Sequence, residues 1–477
     1  MFIYSNNYKI SLQLFLLFFI HSIKSQDYIF KITGDSNNGK NSYYITLYLG
    51  ELKKPQSFLL STTTSLISTK CIFQLSQETN AAPNRIYEVI KEKDLINCNN
   101  NKKICLDYPF SSCNKNFKCE FKFMNNNSTI KGLYAKQQIS FFEKGDSYIF
   151  PTGCIAYETN DFLPNEVDGA LGLNSENNSI LELLVKEKKI KNNIFSICLN
   201  QKNGGYLSIG NIDNILQYDK NKNERIKLIN YIPYDIIDNG KYNLDIKSLN
   251  IEKYNNIIKN DQRYQSIIDT MSVKTYFVKA IYNSLMNDIF SFCLTKKGNC
   301  KNIQNLDKNR FCSDFKSKQE IIKSINQYWP SIIIDFNGYN HILKPENYFI
   351  TFNHEGKVKA CIGFDITDKN YNILGTSFLN GYNVIFDNEK KKIGFVESKC
   401  DNFKNIEKIE EEENINRVFD DPENVIIVCL SIVGIFILII MLIILYKVYF
   451  KATPKRKGYV RQVDVMNSIN SYMENKK

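Results

Sequence analysis

The chain contains very little histidine: three residues in 477, His21, His341 and His354. Imidazole is the usual general base of serine hydrolases and the commonest metal ligand in proteins, so this scarcity argues against both kinds of site. His21 also lies in an apolar N-terminal segment that we expect to be removed from the mature chain. We therefore predict no metal site and no cofactor.

Long stretches with helical periodicity are also scarce, and the clearest are SILELLVKEKK and FVKAIYNSLMNDI. Short runs rich in Ile, Tyr, Phe and Leu are separated by Asn, Gly, Lys and Asp, as in YYITLYLG, YLSIG, SIIIDF and NVIFD. Many short strands with few helices are typical of an all-β sandwich or barrel. A hydrophobic content of 43% provides a substantial core for such a fold.

The net charge of +11 comes mostly from lysines scattered among asparagines along the whole chain. A scattered distribution is typical of solvated faces, whereas nucleic-acid-binding proteins concentrate their basic residues in a patch or a stripe. We therefore expect no nucleic-acid partner.

An apolar segment near each end of the chain predicts its compartment. In residues 1–25, the run ISLQLFLLFFI follows Lys9 and precedes small residues such as Ser22 and Ser25. This run is too short to span a bilayer and has the features of a signal peptide. We predict that the mature chain begins near Gln26, inside the secretory pathway.

The second apolar segment, residues 425–446, has 22 residues and no charge. That is about the length a helix needs to cross a ~30 Å hydrocarbon core. A charged, largely acidic stretch at 401–424 precedes this segment, and a basic tail at 447–477 follows it. Because positive residues flank a span on its cytosolic side, we predict a single-pass type I protein. Its ectodomain would be lumenal or extracellular, its stalk acidic and its tail cytosolic.

The cysteines and sequons agree with this topology. The predicted span contains Cys429, and the other twelve of the 13 cysteines lie in the exported part. An even number is consistent with disulfides in an oxidising compartment. Asn-x-Ser/Thr sequons begin at Asn126, Asn127 and Asn177, which are candidate glycosylation sites on the lumenal side.

The chain also contains traces of an internal repeat. An apolar pair leads into a Ser/Thr motif twice, as FLLSTTTS at 58–65 and SIIDTMS at 266–272. Each is followed by an apolar-glycine motif, VDGALGLN at 167–174 and YNILGTSFL at 371–379. This pattern predicts two halves with one plan.

The order of these motifs resembles that of the pepsin-like aspartic proteases over residues 43–400. Gly50 precedes Ser61 by eleven residues, the spacing between the corresponding glycine and the family's first Asp-Thr-Gly. In the second half, WPSIIIDFNG, PENYFI, CIGF and ILGTSFLNGYNVIFDNEKKKIGF follow SIIDTMS in the family's order. The resemblance implies a bilobal all-β fold with a few short helices, its lobes at 26–210 and 211–400.

The membrane anchor resembles that of the anchored branch of the family, and so do NIFSIC and KIGFVESKC. This resemblance implies an inter-lobe disulfide between Cys198 and Cys400 and a second-lobe disulfide between Cys312 and Cys361. The pairing of six first-half cysteines stays open: Cys71, Cys98, Cys105, Cys113, Cys119 and Cys154.

By the same resemblance, Ser61 stands at the first catalytic aspartate position and Asp269 at the second. Aspartic proteolysis uses two carboxylates that share a proton, one as base toward a water and the other as acid toward the scissile carbonyl. A serine hydroxyl has far too high a pKa to take that proton. The neighbouring sequence offers no replacement, since Glu51 and Glu78 are the only acidic residues of 43–80.

The positions beside these two residues also depart from the family pattern. Thr63 and Met271 replace two glycines that leave room for water and substrate. The position of the family's flap tyrosine falls near Met124 or Asn125. These replacements predict a crowded and incomplete active site.

By contrast, Thr62 and Thr270 match the threonines that hydrogen-bond across the lobes in the family, and Ser272 completes the second motif. The retained residues are structural, and the lost ones are catalytic. We predict an inactive, membrane-anchored protein whose inter-lobe cleft binds an extended peptide or a protein partner. The alternatives are an active aspartic endopeptidase that works through Asp269 at acid pH and a purely structural surface antigen.

Overall fold

The computed structural model divides the chain into two compact units, Met1–Ile406 and Glu407–Lys477. Most of the described secondary structure is β, with a few helices. The described residues are 28–34, 42–73, 89–98, 103–106, 108–125, 128–144, 146–159, 163–176, 178–201, 204–210, 230–237, 240–252, 256–295, 312–315, 318–354, 357–400, 430, 434, 437–445 and 447.

Short strands account for most of the first half of the larger unit. They are β1 (Tyr28–Ile32), β2 (Tyr44–Leu49), β3 (Lys54–Ser61), β4 (Ile67–Lys70), β5 (Ile72–Phe73), β6 (Val89–Ile90), β7 (Ser111–Cys113), β8 (Cys119–Asn125), β9 (Ser128–Ser140), β10 (Ser147–Thr159), β11 (Gly169–Gly172), β12 (Ile194–Asn200) and β13 (Gly204–Ile209). The helices are a 3₁₀ turn (Glu92–Asp94), α1 (Lys103–Leu106) and α2 (Ile180–Lys186).

The second half continues the same pattern. Its strands are β14 (Asn230–Pro233), β15 (Asp235–Ile237), β16 (Lys241–Leu244), β17 (Ser248–Ile251), β18 (Ile257–Lys259), β19 (Ser266–Ile268), β20 (Thr275–Phe277), β21 (Cys312–Phe315), β22 (Ile332–Asp335), β23 (Asn340–Leu343), β24 (Phe349–His354), β25 (Lys357–Ile362), β26 (Phe364–Ile366), β27 (Asn372–Leu374), β28 (Tyr382–Asp387) and β29 (Lys392–Glu397). Its helices are α3 (Lys279–Thr295), α4 (Lys318–Tyr328), α5 (Pro345–Tyr348) and α6 (Thr376–Leu379). The two sequence stretches with helical periodicity form α2 and α3, as predicted.

Two sheets carry the repeated plan. The sheet of the first lobe contains the order β10-β4-β11-β3-β2, and the sheet of the second lobe contains β26-β20-β27-β19-β16. In each, the crossover strand, β11 or β27, is parallel to one neighbour and antiparallel to the other. The outer pairs β10–β4 and β26–β20 are both parallel. The predicted internal repeat is therefore confirmed as a repeat of topology.

A third sheet takes strands from both halves. Its order is β1-β13-β12-β28-β29-β14, and β12 pairs antiparallel with β28 from Ile194↔Asp387 to Cys198↔Asn383. Phe195 and Phe386 stack there at a centroid separation of 4.4 Å. This joint sheet connects the two halves through main-chain hydrogen bonds and aromatic packing.

The core forms where apolar residues alternate along the strands. In β2, YITLYL, buried Ile45, Leu47 and Leu49 alternate with more exposed neighbours. The largest buried cluster extends through strands of both halves. A second cluster in the first lobe, which we call the first-lobe cluster, includes Leu66 and Phe121.

Disulfides reinforce this framework. The two pairs that the family resemblance implied, Cys198–Cys400 and Cys312–Cys361, are present. The pairs that sequence left open are Cys71–Cys154, Cys98–Cys113 and Cys105–Cys119. Three sulfur atoms of these pairs lie within 4.8 Å of one another, those of Cys98, Cys105 and Cys113. Because they are bonded in disulfides, they are not the thiolates that a metal requires.

The membrane segment and the sequons lie largely outside the described residues. Among the residues described, no helix is both long enough and apolar enough to cross a membrane. Of the predicted span 425–446, the description covers positions 430, 434 and 437–445, all helical. Signal peptide 1–25, stalk 401–424, nearly all of the tail 447–477 and the sequon asparagines Asn126, Asn127 and Asn177 fall outside it. These assignments, and the lobe boundary near residue 210, stay predictions.

One histidine is fully buried in the core of the second half. His341 is 0% exposed, and its ring lies 4.3 Å from that of Tyr382 and 4.5 Å from that of Phe378. Among the described groups, neither ring nitrogen has a hydrogen-bond partner of normal geometry. Burial lowers the pKa of His341 from 6.5 to about 3, against a weak opposing contact with the backbone of Phe378.

We expect His341 to make the fold less stable in acid. In the unfolded chain the imidazole takes up a proton near pH 6.5, whereas in the fold it stays neutral down to a pKa of about 3. The contribution of neutral His341 to the free energy of unfolding is therefore intact above pH 6.5. It is lost as the pH falls toward 3, by up to about 1.4 kcal/mol per pH unit. Unfolding of the full chain followed by Trp329 fluorescence should show a shallower acid slope in His341→Leu. Equal slopes in both proteins would contradict this assignment.

Candidate functional site

The repeated crossovers bring two short loops to the middle of the larger unit. Strand β3 ends at Ser61, which pairs with Gly172 of the parallel strand β11. Asp269 directly follows β19 and donates its backbone N–H to the carbonyl of Leu374, at the end of the parallel strand β27. Ser61 and Asp269 therefore occupy equivalent places in the strand topology of the two halves.

Two glycines allow the crossover strands to approach these loops. A Cβ on Gly172 would lie 2.5 Å from the carbonyl oxygen of Thr64, and one on Gly375 would lie 2.5 Å from that of Ser272. Any side chain would push the loop away, so the backbone contact requires glycine at both positions. This requirement accounts for the glycine in each apolar-glycine motif.

Two buried threonines join the loops. The hydroxyl of Thr270 donates to the carbonyl of Leu60 at 2.7 Å and accepts the backbone N–H of Thr62 at 3.2 Å. In the reciprocal pair, the hydroxyl of Thr62 donates to the carbonyl of Ile268 at 2.9 Å and accepts the backbone N–H of Thr270 at 3.2 Å. Both hydroxyls are thereby used as donor and acceptor.

Asp269 is a buried carboxyl held by its own loop. It is 6% exposed, and its Oδ1 accepts the backbone N–H of Met271 at 2.9 Å while its Oδ2 accepts the hydroxyl of Ser272 at 2.7 Å. Burial raises the pKa of Asp269, and these hydrogen bonds and the charge of Lys241 only partly oppose it. The carboxyl therefore retains its proton to a higher pH than an ordinary aspartate.

The other loop presents hydroxyls. Ser61 is fully buried, and its Oγ lies 3.3 Å from the Oγ1 of half-buried Thr63. The backbone N–H of Thr63 also points to the Oγ of Ser61, at 3.4 Å. The hydroxyl of Ser61 is therefore engaged with Thr63, and neither hydroxyl titrates near neutral pH.

Met271 connects the second loop to the first lobe by apolar packing. Its half-buried side chain packs against the first-lobe cluster, which includes Leu66, Phe121 and Tyr134. In the family pattern a glycine stands at this position. The side chain of Met271 therefore occupies part of the space between the lobes.

The region expected to contain a flap residue lies at the end of a hairpin. Strands β8 and β9 pair antiparallel, with Met124 opposite Thr129 and Asn125 opposite Ser128. Met124 is 61% exposed. Neither Met124 nor Asn125 offers the phenol that the family places there.

Two polar residues near Asp269 were not identified from sequence. Lys241 is half-buried, and its charge lowers the pKa of Asp269 against the larger effect of burial. Tyr276 is also close, since Asp269 and Asp365 add to burial in raising the pKa of its phenol. No local motif marks either residue, because strand pairing brings them to the site.

Among the described residues of the two loops, Asp269 provides one carboxyl, where aspartic proteolysis uses two. Asp269 can hold or release one proton, but the hydroxyls of Ser61 and Thr63 cannot act as the partner base. Asp168, the carboxylate of the VDGALGLN motif, accepts the backbone N–H of Ser57 on its Oδ2 at 2.8 Å.

Comparisons with known proteins agree with this architecture. The family model described as Xylanase inhibitor N-terminal matches residues 43–211, and Xylanase inhibitor C-terminal matches residues 241–397. The crystal structure of conglutin gamma, a basic 7S globulin from lupine seeds, aligns with a TM-score of 0.58 at 17% identity, over 78% of this chain and 95% of that one. These matches define the bilobal fold of aspartic proteases.

Relatives in sequence include proteins of a parasite and of a plant. Plasmepsin V of Plasmodium falciparum (isolate 3D7) is 25% identical over 447 residues, covering 78% of this chain and 73% of that protein. Aspartic proteinase-like protein 1 of Arabidopsis thaliana is 22% identical over 250 residues, and the match spans 43% of its length. The chain belongs to the pepsin-like aspartic protease family.

We expect the threonine pair to be essential for stability. Thr270→Val would leave the buried carbonyl of Leu60 and N–H of Thr62 without partners, and each unsatisfied group costs about 1–3 kcal/mol. The free energy of unfolding should fall by about 2–4 kcal/mol, measured by denaturant titration of the full chain. Thr46→Val, at an exposed position of β2, is the matched control and should change it by less than about 0.5 kcal/mol. Equal effects of both substitutions would contradict the role of the pair.

Asp269 should destabilise the fold at neutral pH. The pKa of Asp269 is raised in the folded state. The contribution of the protonated carboxyl to the free energy of unfolding is therefore fully present below the unfolded-state pKa, and it is lost as the pH rises through the folded-state pKa. Asp269→Asn should therefore melt at a higher temperature than the wild type at neutral pH, and the difference should shrink in acid. Asp235→Asn, at an exposed position, should show neither effect. A wild type that melts as high as Asp269→Asn at neutral pH would contradict the raised pKa.

Proposed function

We propose that this chain is a membrane-anchored protein of the secretory pathway or the cell surface with an aspartic-protease fold and no peptidase activity. Its inter-lobe cleft binds an extended peptide or a segment of a protein partner. The observation that carries the proposal is the pairing of Ser61 with Gly172 at the place that Asp269 occupies in the other half. One half of the catalytic pair is missing.

The chemistry of the two loops supports loss of activity. A single carboxyl cannot act as base toward water and as acid toward the scissile carbonyl in the same step. In addition, the packing of Met271 against the first-lobe cluster fills space next to Asp269. Water and a scissile peptide bond would have to compete with this side chain for the same volume.

The framework that supports a cleft is retained. The threonine exchange, the joint sheet and the Cys198–Cys400 disulfide keep the two halves in place without any contribution from a second carboxylate. A protein with a purely structural role would not need the two loops to be held together by the hydrogen bonds of Thr62 and Thr270. We infer that the cleft is kept for recognition.

The membrane topology is inferred from the sequence. The apolar run at 425–446 has the length and the flanking charges of a type I anchor. The five disulfides described are typical of an oxidising compartment. Both features point to an ectodomain on the lumenal or extracellular side.

Cleavage assays separate this proposal from an active endopeptidase. The full chain in detergent is incubated with a fluorogenic peptide library from neutral to acid pH, with and without a statine-type inhibitor. We expect the wild type to cleave no faster than Asp269→Asn, because neither protein has the pair of carboxyls that the reaction needs. Acid-dependent cleavage that is lost in Asp269→Asn and blocked by the inhibitor would establish the endopeptidase that Asp269 alone can support.

A further inference from the structure

Strand register places a lysine across from Asp269. Strands β16 and β19 pair antiparallel, with Asn243 opposite Ile267 and Leu244 opposite Ser266. Continued by two positions beyond these pairs, the same register would put Lys241 opposite Asp269, and the charge of Lys241 does act on that carboxyl. Opposed residues of an antiparallel pair have their side chains on the same face of the sheet. The ammonium group of Lys241 therefore lies on the same side as the carboxyl of Asp269.

The backbone around Lys241 is fixed to the first lobe. The carbonyl of Gly240 accepts two hydrogen bonds from Ser175, one from its backbone N–H at 3.0 Å and one from its side-chain hydroxyl at 2.8 Å. On the other side, the phenol of Tyr242 donates to the carbonyl of Leu173 at 2.9 Å, and the N–H of Leu173 donates to the carbonyl of Ser61 at 2.7 Å. These bonds hold Lys241 beside both loops of the site.

Lys241 has no direct carboxylate partner among the residues that the structure describes. The described ion pairs, with nitrogen–oxygen distances up to 4.0 Å, involve other lysines, although the charge of Lys241 acts on Asp269. Both oxygens of Asp269 already accept hydrogen bonds from Met271 and Ser272. A half-buried ammonium gains most from a carboxylate that reaches it directly.

The substitution at residue 61 changes the charge of the centre. Two catalytic aspartates would bring negative charge to this space, which would repel an incoming anion. With Ser61 in place of one of them, a single carboxyl faces one ammonium group. The electrostatic repulsion of an incoming anion is thereby reduced, and Lys241 can bind one.

We propose that Lys241 makes this cleft a site for peptides that present a carboxylate, from an Asp or Glu side chain or from a free C-terminus. The inference rests on the proposed peptide-binding function and names its substrate class. A ligand with a cation at the same position would meet like charge beside Lys241 and would be rejected.

The test uses the full chain in detergent and labelled peptide pools of one design. The pools differ at one position, which is Asp or Glu, Asn or Gln, or Lys, and each is made with an amidated C-terminus. A further pool, with Ala at that position, has a free C-terminus. Affinity is measured by fluorescence anisotropy. We expect one source of carboxylate to bind about 10-fold tighter than its neutral counterpart, and the pools show which source it is.

Substitutions at Lys241 then identify the cause of the preference. Lys241→Met should abolish the preference for a carboxylate, Lys241→Arg should keep it, and Lys241→Glu should transfer it to the Lys pool. Lys259→Met, which removes an exposed lysine of β18, should behave as the wild type.

Each outcome has a distinct meaning. A preference that persists in Lys241→Met, or equal binding of all pools by the wild type, would overturn this inference and leave peptide binding in place. Failure of the wild type to bind any pool would overturn the proposed function and this inference together.

Discussion

The hydrogen bonds exchanged by Thr62 and Thr270 are the constraint on which the site depends. Each hydroxyl serves the backbone of the other half, so four buried polar groups are satisfied by two side chains. Nothing in this exchange involves residues 61 or 269. The hydrogen bonds that join the two loops therefore do not depend on which residues stand at positions 61 and 269.

The two loops present different side chains at the centre. Ser61 exchanges hydrogen bonds with Thr63, and Asp269 is left as a single buried carboxyl supported by its own loop. Met271 fills space toward the first-lobe cluster. The charge of Lys241 lowers the pKa of Asp269 against the larger effect of burial.

Much of the fold was predictable because its motifs are local and ordered. The apolar pairs, the glycines 172 and 375 and the helices α2 and α3 each leave a short pattern in the sequence. The first-half disulfides leave none. Cys113 lies opposite Cys119 in the hairpin of β7 and β8, yet each is bonded to a cysteine elsewhere in the chain. Register alone would have suggested the wrong pair, because the choice depends on how α1 and its neighbours pack against the hairpin.

The sequence by itself determined the family and predicted the roles of Ser61, Thr62 and Thr270, since each inference depends only on residue type at a fixed spacing. Tertiary structure decided the remaining points: which cysteines pair, where Met271 packs and that the charge of Lys241 acts on Asp269. These are contacts between segments distant in sequence, and they arise from strand pairing across the sheet, which no local pattern specifies.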